Sequence, residues 1–268
     1  MKTVLKILIL FFPTLIVSGQ DSIQQRLENS PRHQEWVVVK NGERPVHCFV
    51  VYPQMKEKAT AVLVIHENKG LTDWVRSLAD QLAEAGATTI APDLLSGLGP
   101  NQGKTSDFPS IDAATEALYK LQPDQVISDL NAVSDYVTKL PASNGKLAVA
   151  GFCWGGGQSL RFATRRRELN AAFIFYGTTI HTKEEIALIN CPVYGFYGSN
   201  DARINATLPG TAETMKEAGK TFDPVTYDGA DHGFMRKGEE PDASSANKEA
   251  RTKAWERWKA ILNKLSTP

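Results

Sequence analysis

Beyond its first nineteen residues, the chain alternates between short apolar runs and segments whose apolar positions recur every three or four residues. Ala59 to His66 is an almost unbroken apolar run, the pattern of a strand buried on both faces. In Leu71 to Ala85 the apolar residues Leu71, Trp74, Val75, Leu78 and Leu82 stand at helical spacing, and Gly86 suits the left-handed residue that ends a helix. The alternation continues with a strand over 88–95, a Gly/Pro/Asn-rich loop over 96–104, and helices over 110–120 and 123–140. The second of these helices carries Ile127, Leu130, Val133 and Val137 as its predicted buried face. Strands follow at 147–152, 171–176 and 192–197, with a short helix over 182–188, a helix ending at 215–219, a last strand at 224–227 and a closing amphipathic helix over 247–265. Upstream, 35–40 and 46–52 are β-rich and separated by Asn41-Gly42, a hairpin signal that predicts antiparallel strands at one edge. Residues 20–34 are polar, with Pro31 against any helix, and read as a surface lead-in. No repeat or low-complexity linker interrupts the series. The pattern predicts one doubly wound α/β domain over 20–268 with a mostly parallel sheet.

Composition changes this picture little. With 42% hydrophobic and 22% charged residues the chain can bury a large core without crosslinks. Lys+Arg and Asp+Glu are both 30, so no global charge favours nucleic acid or an anionic membrane. Residues 1–19 stand apart. Lys2 and Lys6 precede an apolar core from Ile7 to Val17, and Val17-Ser18-Gly19 forms a small-residue cleavage site before Gln20. The core is shorter than the roughly 20 apolar residues a membrane helix needs. The segment therefore reads as an export signal, with an uncleaved anchor as the alternative, and it places the protein in the periplasm or outside the cell. Cleavage leaves 28 basic against 30 acidic residues. Three cysteines are an odd count for an exported chain, so at least one is a free thiol unless it pairs with another chain. Cys48 and Cys191 lie in or beside apolar strands and read as core; Cys153 needs another explanation.

Cys153 sits in Gly151-Phe152-Cys153-Trp154-Gly155, after the apolar run Leu147 to Ala150 and before a small-residue helical stretch. A strand ending in Gly-x-nucleophile-x-Gly and opening a helix is the nucleophile elbow of α/β-hydrolases, here with Cys in place of Ser. At a helix N-terminus the macrodipole and free N–H groups are expected to favour the thiolate. A lone Cys in a Gly-rich bend is more often structural, so the partners decide. In this fold the acid and then the His follow the nucleophile. Asp201 ends a strand that opens into Gly198-Ser199-Asn200, and His232 lies in the small-residue loop Gly229-Ala230-Asp231-His232-Gly233. His232 would shuttle the proton and Asp201 would fix its tautomer. Asp231 is a rival acid, but adjacent side chains rarely face each other. His66-Glu67-Asn68-Lys69-Gly70 follows a buried strand at the place that supplies a second oxyanion N–H, so the N–H groups of Asn68 and Trp154 are the expected oxyanion donors. Glu67 either faces solvent or holds the thiol proton in the resting enzyme. A metal reading of His66-Glu67 fails, because no second His lies four residues on.

Over nearly all of 35–265 the chain resembles the dienelactone hydrolase family (carboxymethylenebutenolidases). The resemblance is carried by His66-Glu67-Asn68-Lys69-Gly70, Ala91-Pro92-Asp93-Leu94, Ser143-Asn144-Gly145-Lys146, the elbow 151–156, Asp201 and His232-Gly233-Phe234. It implies a Cys-His-Asp triad hydrolysing an enol-lactone or similar ester, with Glu67 restraining the thiol until substrate arrives, which would guard it from oxidation. It also implies two arginines on the substrate carboxylate. Arg236 matches one. The other falls four residues before a Tyr; if that is Tyr119, the position is Thr115, and no Arg occurs from 77 to 160. Losing one charge-assisted contact costs roughly 1.5–3 kcal/mol, enough to change the preferred substrate.

The expectation is an exported monomer, acting on a small-molecule ester or lactone through an acyl-thioester, with no cofactor, no metal, no nucleic-acid partner and no membrane attachment after signal removal. Trp154, Phe234, Tyr176 and Tyr197 are candidate walls of an apolar pocket. A broader carboxylesterase or thioesterase on the same triad, and a non-catalytic binding protein on the same scaffold, are the alternatives.

Overall fold

A computed structural model of the chain describes residues 19–179 and 181–266. The expected export segment, apart from Gly19, lies outside the described residues. Among the described residues, eight strands form one sheet in the order β1-β2-β4-β3-β5-β6-β7-β8. They are β1 (Gln34–Asn41), β2 (Arg44–Val51), β3 (Ala59–Ile65), β4 (Thr88–Pro92), β5 (Ser143–Phe152), β6 (Ala171–Phe175), β7 (Val193–Gly198) and β8 (Phe222–Tyr227). β1 and β2 form the predicted hairpin at one edge, β2 runs antiparallel to β4, and all further pairings are parallel.

The helices are α1 (Gly19–Glu28), α2 (Asp73–Glu84), α3 (Ile111–Tyr119), α4 (Pro123–Thr138), α5 (Trp154–Ala163), α6 (Lys183–Ala187), α7 (Ala202–Asn205), α8 (Leu208–Glu217), α9 (Phe234–Lys237) and α10 (Ser245–Ser266). Every residue of β3 is buried. Successive side chains of a strand point to opposite faces, so Val62 and Val64 join the core under α2 and α10 while Ala61, Leu63 and Ile65 join the core under α4, α5 and α8. This two-sided burial explains why the central strands read as continuous apolar runs. On the first face Trp258 of α10 is fully buried against Phe152, Phe173 and Phe175, with ring centroids 4.7–5.9 Å apart. Phe152 immediately precedes Cys153, so this aromatic packing supports the end of β5 from beneath.

Two local expectations need correction. Residues 19–28 are helical, not an irregular lead-in: Ile23 and Leu27 lie one turn apart and pack on the core under α2, and the helix ends before Pro31. In α4 the inward face is Val126, Leu130, Val133 and Val137, with Ile127 only partly buried; the helix is rotated so that Asp129 turns inward to pair with Arg44 at 2.9 Å. All three cysteines are free thiols. Cys48 and Cys191 are buried as expected, and burial pushes the Cys191 thiol up to about 12. Among the described residues no helix is long and apolar enough to cross a membrane. The architecture is the α/β-hydrolase fold.

Candidate active site

Cys153, Asp201, His232 and Glu67 all follow the C-terminal ends of parallel strands, where this architecture gathers its sites. Cys153 follows β5 with φ 54° and ψ −115°, a backbone conformation that a side chain rarely adopts. Two glycines make the turn possible. A Cβ on Gly151 would collide with the Gly155 carbonyl, and a Cβ on Gly155 would collide with the carbonyl oxygens of Ile65 and His66 at the end of β3. The Cys153 N–H donates to the Phe175 carbonyl at 3.0 Å, tying the elbow to β6.

From this turn Cys153 Sγ lies 3.1 Å from His232 Nε2, and His232 Nδ1 lies 2.5 Å from Asp201 Oδ2. The sequence separations are 79 and 31 residues. Asp201 also caps α7, its Oδ1 accepting from Ile204 N at 3.4 Å, so one carboxylate both starts this helix and meets the imidazole. Asp231 turns away from the imidazole and engages Asn247, Asn200 and Lys237. The Tyr176 ring meets the His232 ring edge-on at 5.1 Å and limits how the imidazole can tilt.

The backbone N–H groups of Trp154 and Asn68 both bear on the Cys153 sulfur. Even so, the expected low thiol pKa is not what the site produces. Burial pushes the thiol up, and the Glu67 carboxylate pushes it further. The two N–H groups and the Arg203 guanidinium pull it down without prevailing. The helix terminus is real, but desolvation of a half-buried sulfur outweighs it.

Glu67 takes neither of its two expected orientations. It is buried, its Oε2 accepts from Arg236 Nε at 3.1 Å, and its Oε1 accepts from the Tyr176 hydroxyl at 3.4 Å. From this position its carboxylate bears on the thiol by charge, pushing it up. Arg236 is bound on its other side by Glu240 at 2.9 Å. Tyr119 is exposed, its hydroxyl accepting from Asn68 Nδ2 at 3.4 Å. Beside Glu67 and Arg236 lies a cavity of about 320 Å³ whose walls include Ile23, Lys69, Trp74 and Ile111. Of the aromatics expected to line a pocket, Tyr197 belongs to the core under α4 and α8 and Phe234 to the core under α10; Trp154 is partly exposed. Ile23 and Lys69 were not anticipated as walls, and Arg203 not as a charge on the thiol. Ile23 lies in the segment predicted to be irregular, Lys69 stands in the 66–70 motif without a role of its own there, and no motif marks Arg203.

Removing the Glu67 charge has a definite sign. A negative neighbour raises a thiol pKa, so Glu67→Gln lowers it and enlarges the thiolate fraction below the pKa. Alkylation of Cys153 by iodoacetamide at pH 7.5 is expected to quicken several-fold. An unchanged or slower rate would contradict the electrostatic role.

Three comparisons with known proteins bear on this geometry. The family model described as "Dienelactone hydrolase family" matches residues 46–266. The chain is 28% identical over 233 residues to an Escherichia coli (strain K12) protein named "Putative carboxymethylenebutenolidase", covering 82% of this chain and 78% of that one. A protein of the same name from Saccharolobus solfataricus is 28% identical over 252 residues, covering 82% of this chain and 95% of that one. In fold, the chain is similar to a dienelactone hydrolase-like promiscuous phosphotriesterase, P91, from metagenomic libraries, with TM-score 0.74, 20% identity and coverage of 88% and 99%. With most of its length matched, from β2 to the end of α10, this chain belongs to the dienelactone hydrolase family.

Proposed function

We propose that the chain hydrolyses esters or lactones by thiol attack, with Cys153 as nucleophile, His232 as general base and acid, and Asp201 as the group that orients His232. The observation that carries this reading is the unbroken relay from Asp201 Oδ2 through His232 to Cys153 Sγ, at 2.5 and 3.1 Å, ending on a strained elbow. Family membership supports the reaction class, a hydrolase acting on a lactone or ester.

We take the thiol, pushed up by burial and by the Glu67 carboxylate, to carry its proton at rest. Its proton passes to His232 Nε2 as the sulfur attacks the carbonyl carbon, and Asp201 stabilises the imidazolium that forms. The N–H groups of Asn68 and Trp154 take the developing oxyanion. Collapse of the tetrahedral intermediate breaks the ester C–O bond, and the leaving oxygen receives the proton from His232. Water, deprotonated by His232, then attacks the thioester and releases the carboxylate and the free thiol. Tyr176, with its hydroxyl on Glu67 and its ring on His232, joins the relay to the Glu67–Arg236 pair.

Arg236 already has two carboxylate partners, Glu67 and Glu240, and α3 presents Ile111, Thr115 and Tyr119 but no cation near it. A substrate carboxylate binding Arg236 would have to displace one of these partners. We therefore assign the protein an uncharged ester or lactone. Export through residues 1–19 is part of the same proposal and rests on the n-region, apolar core and cleavage pattern.

Hydrolysis of p-nitrophenyl acetate is expected to fall by about 10³-fold or more in Cys153→Ala and in His232→Ala, with the circular dichroism spectrum unchanged; activity persisting in both would overturn the triad. Neutral lactones should show kcat/KM at least equal to that of carboxylate-bearing analogues of the same ring. A preference for the carboxylate that disappears in Arg236→Ala would reverse the substrate assignment. Mass spectrometry of the exported protein should find Gln20 at its N-terminus, and full-length chain confined to the cytosol would refute export.

A further inference from the structure

His66 is fully buried, lies between β3 and the Asn68 segment, and has no part in the relay. Its two ring nitrogens have different partners. Nε2 is 3.3 Å from the Leu94 N–H, which can only donate, so Nε2 accepts and the ring proton sits on Nδ1. Nδ1 therefore donates to the Glu67 carbonyl at 2.8 Å. Burial disfavours the imidazolium and holds the ring in this neutral form.

The Glu67 carbonyl and the Asn68 N–H belong to one planar trans peptide unit, in which the C=O and N–H bonds point in opposite directions. Fixing the carbonyl on one side fixes the N–H on the other, and that N–H bears on Cys153. The same imidazole stacks on the Trp154 indole, at 5.7 Å between centroids and 14° between planes, and Trp154 carries the second N–H. The far end of the segment is held independently. The Leu71 N–H donates to Thr105 Oγ1 at 3.1 Å, and Thr105 donates to Asp93 through both its N–H and its hydroxyl.

Resting on the reading of Asn68 and Trp154 as oxyanion donors, we infer that His66 is a positioning residue for the oxyanion hole, aiming the Asn68 N–H through its bond to the Glu67 carbonyl and seating Trp154 by stacking. The aim requires a donor at the Nδ1 position and an acceptor, or nothing charged, facing Leu94.

The test compares three variants by p-nitrophenyl acetate kinetics and by the pH profile of Cys153 alkylation with iodoacetamide, with thermal melting as a check on folding. His66→Asn keeps a donor the same number of bonds from Cα as Nδ1. His66→Gln moves it one bond outward, and His66→Phe keeps the ring without a donor. Asn is expected to retain kcat within about threefold, whereas Gln and Phe lose about 10- to 100-fold in kcat at unchanged KM, part of the loss seen when a whole oxyanion donor is removed. The alkylation profile should move to higher pH in Phe and Gln and stay in place in Asn, because the thiolate loses the Asn68 N–H. A purely structural role gives the reverse order, since Phe fills the buried site better than Asn. Phe at or above Asn in both readouts would overturn the inference. The alkylation profile needs no turnover, so it tests His66 even if Cys153→Ala shows that hydrolysis runs elsewhere.

Discussion

The site depends on a close approach that only glycine permits. The turn after β5 brings Gly155 against the carbonyl oxygens of Ile65 and His66, so the elbow rests directly on the end of β3. One step further, Gly156 meets Gly177, where a Cβ would lie 2.8 Å from the Gly177 Cα, and this joins α5 to the segment after β6. With a larger residue at 155 the turn would stand off from β3, and the two N–H groups that face the sulfur, one from each side of this contact, could not converge. The strain at Cys153 is supported by the packing of Phe152 on Phe175 and Trp258 beneath it.

The electrostatics follow from how little solvent reaches this junction. A helix N-terminus alone would lower the thiol pKa, yet burial and the Glu67 carboxylate outweigh it. A thiol pushed up in this way is less exposed to oxidation than a thiolate. Glu67 tolerates burial because Arg236 pairs with it, and that pairing occupies the cation best placed to meet a substrate carboxylate. One ion pair thus joins the charge that acts on the thiol to the cation beside the cavity.

Much of this was legible along the chain. β3 and the helical spacing of α2 are set by burial on two faces or one, a periodicity that any window of sequence displays. The elbow, Asp201 and His232 were legible because backbone strain demands glycine and because the order of the partners follows the order of the strands. α1 was not: its two apolar residues, Ile23 and Leu27, are too few to signal a helix, and tertiary packing on α2 makes up the deficit.

The sequence by itself determined the fold and picked out Cys153, Asp201 and His232 as residues that meet, since these rest on local periodicity, turn sterics and strand order. Only the tertiary structure decided what Glu67 does, whether Arg236 is free, whether the helix terminus or desolvation governs Cys153, and what His66 holds. Each of these is a balance between groups far apart in sequence, Glu67 and Arg236 being 169 residues apart. Their distances and shared burial have no trace in local pattern.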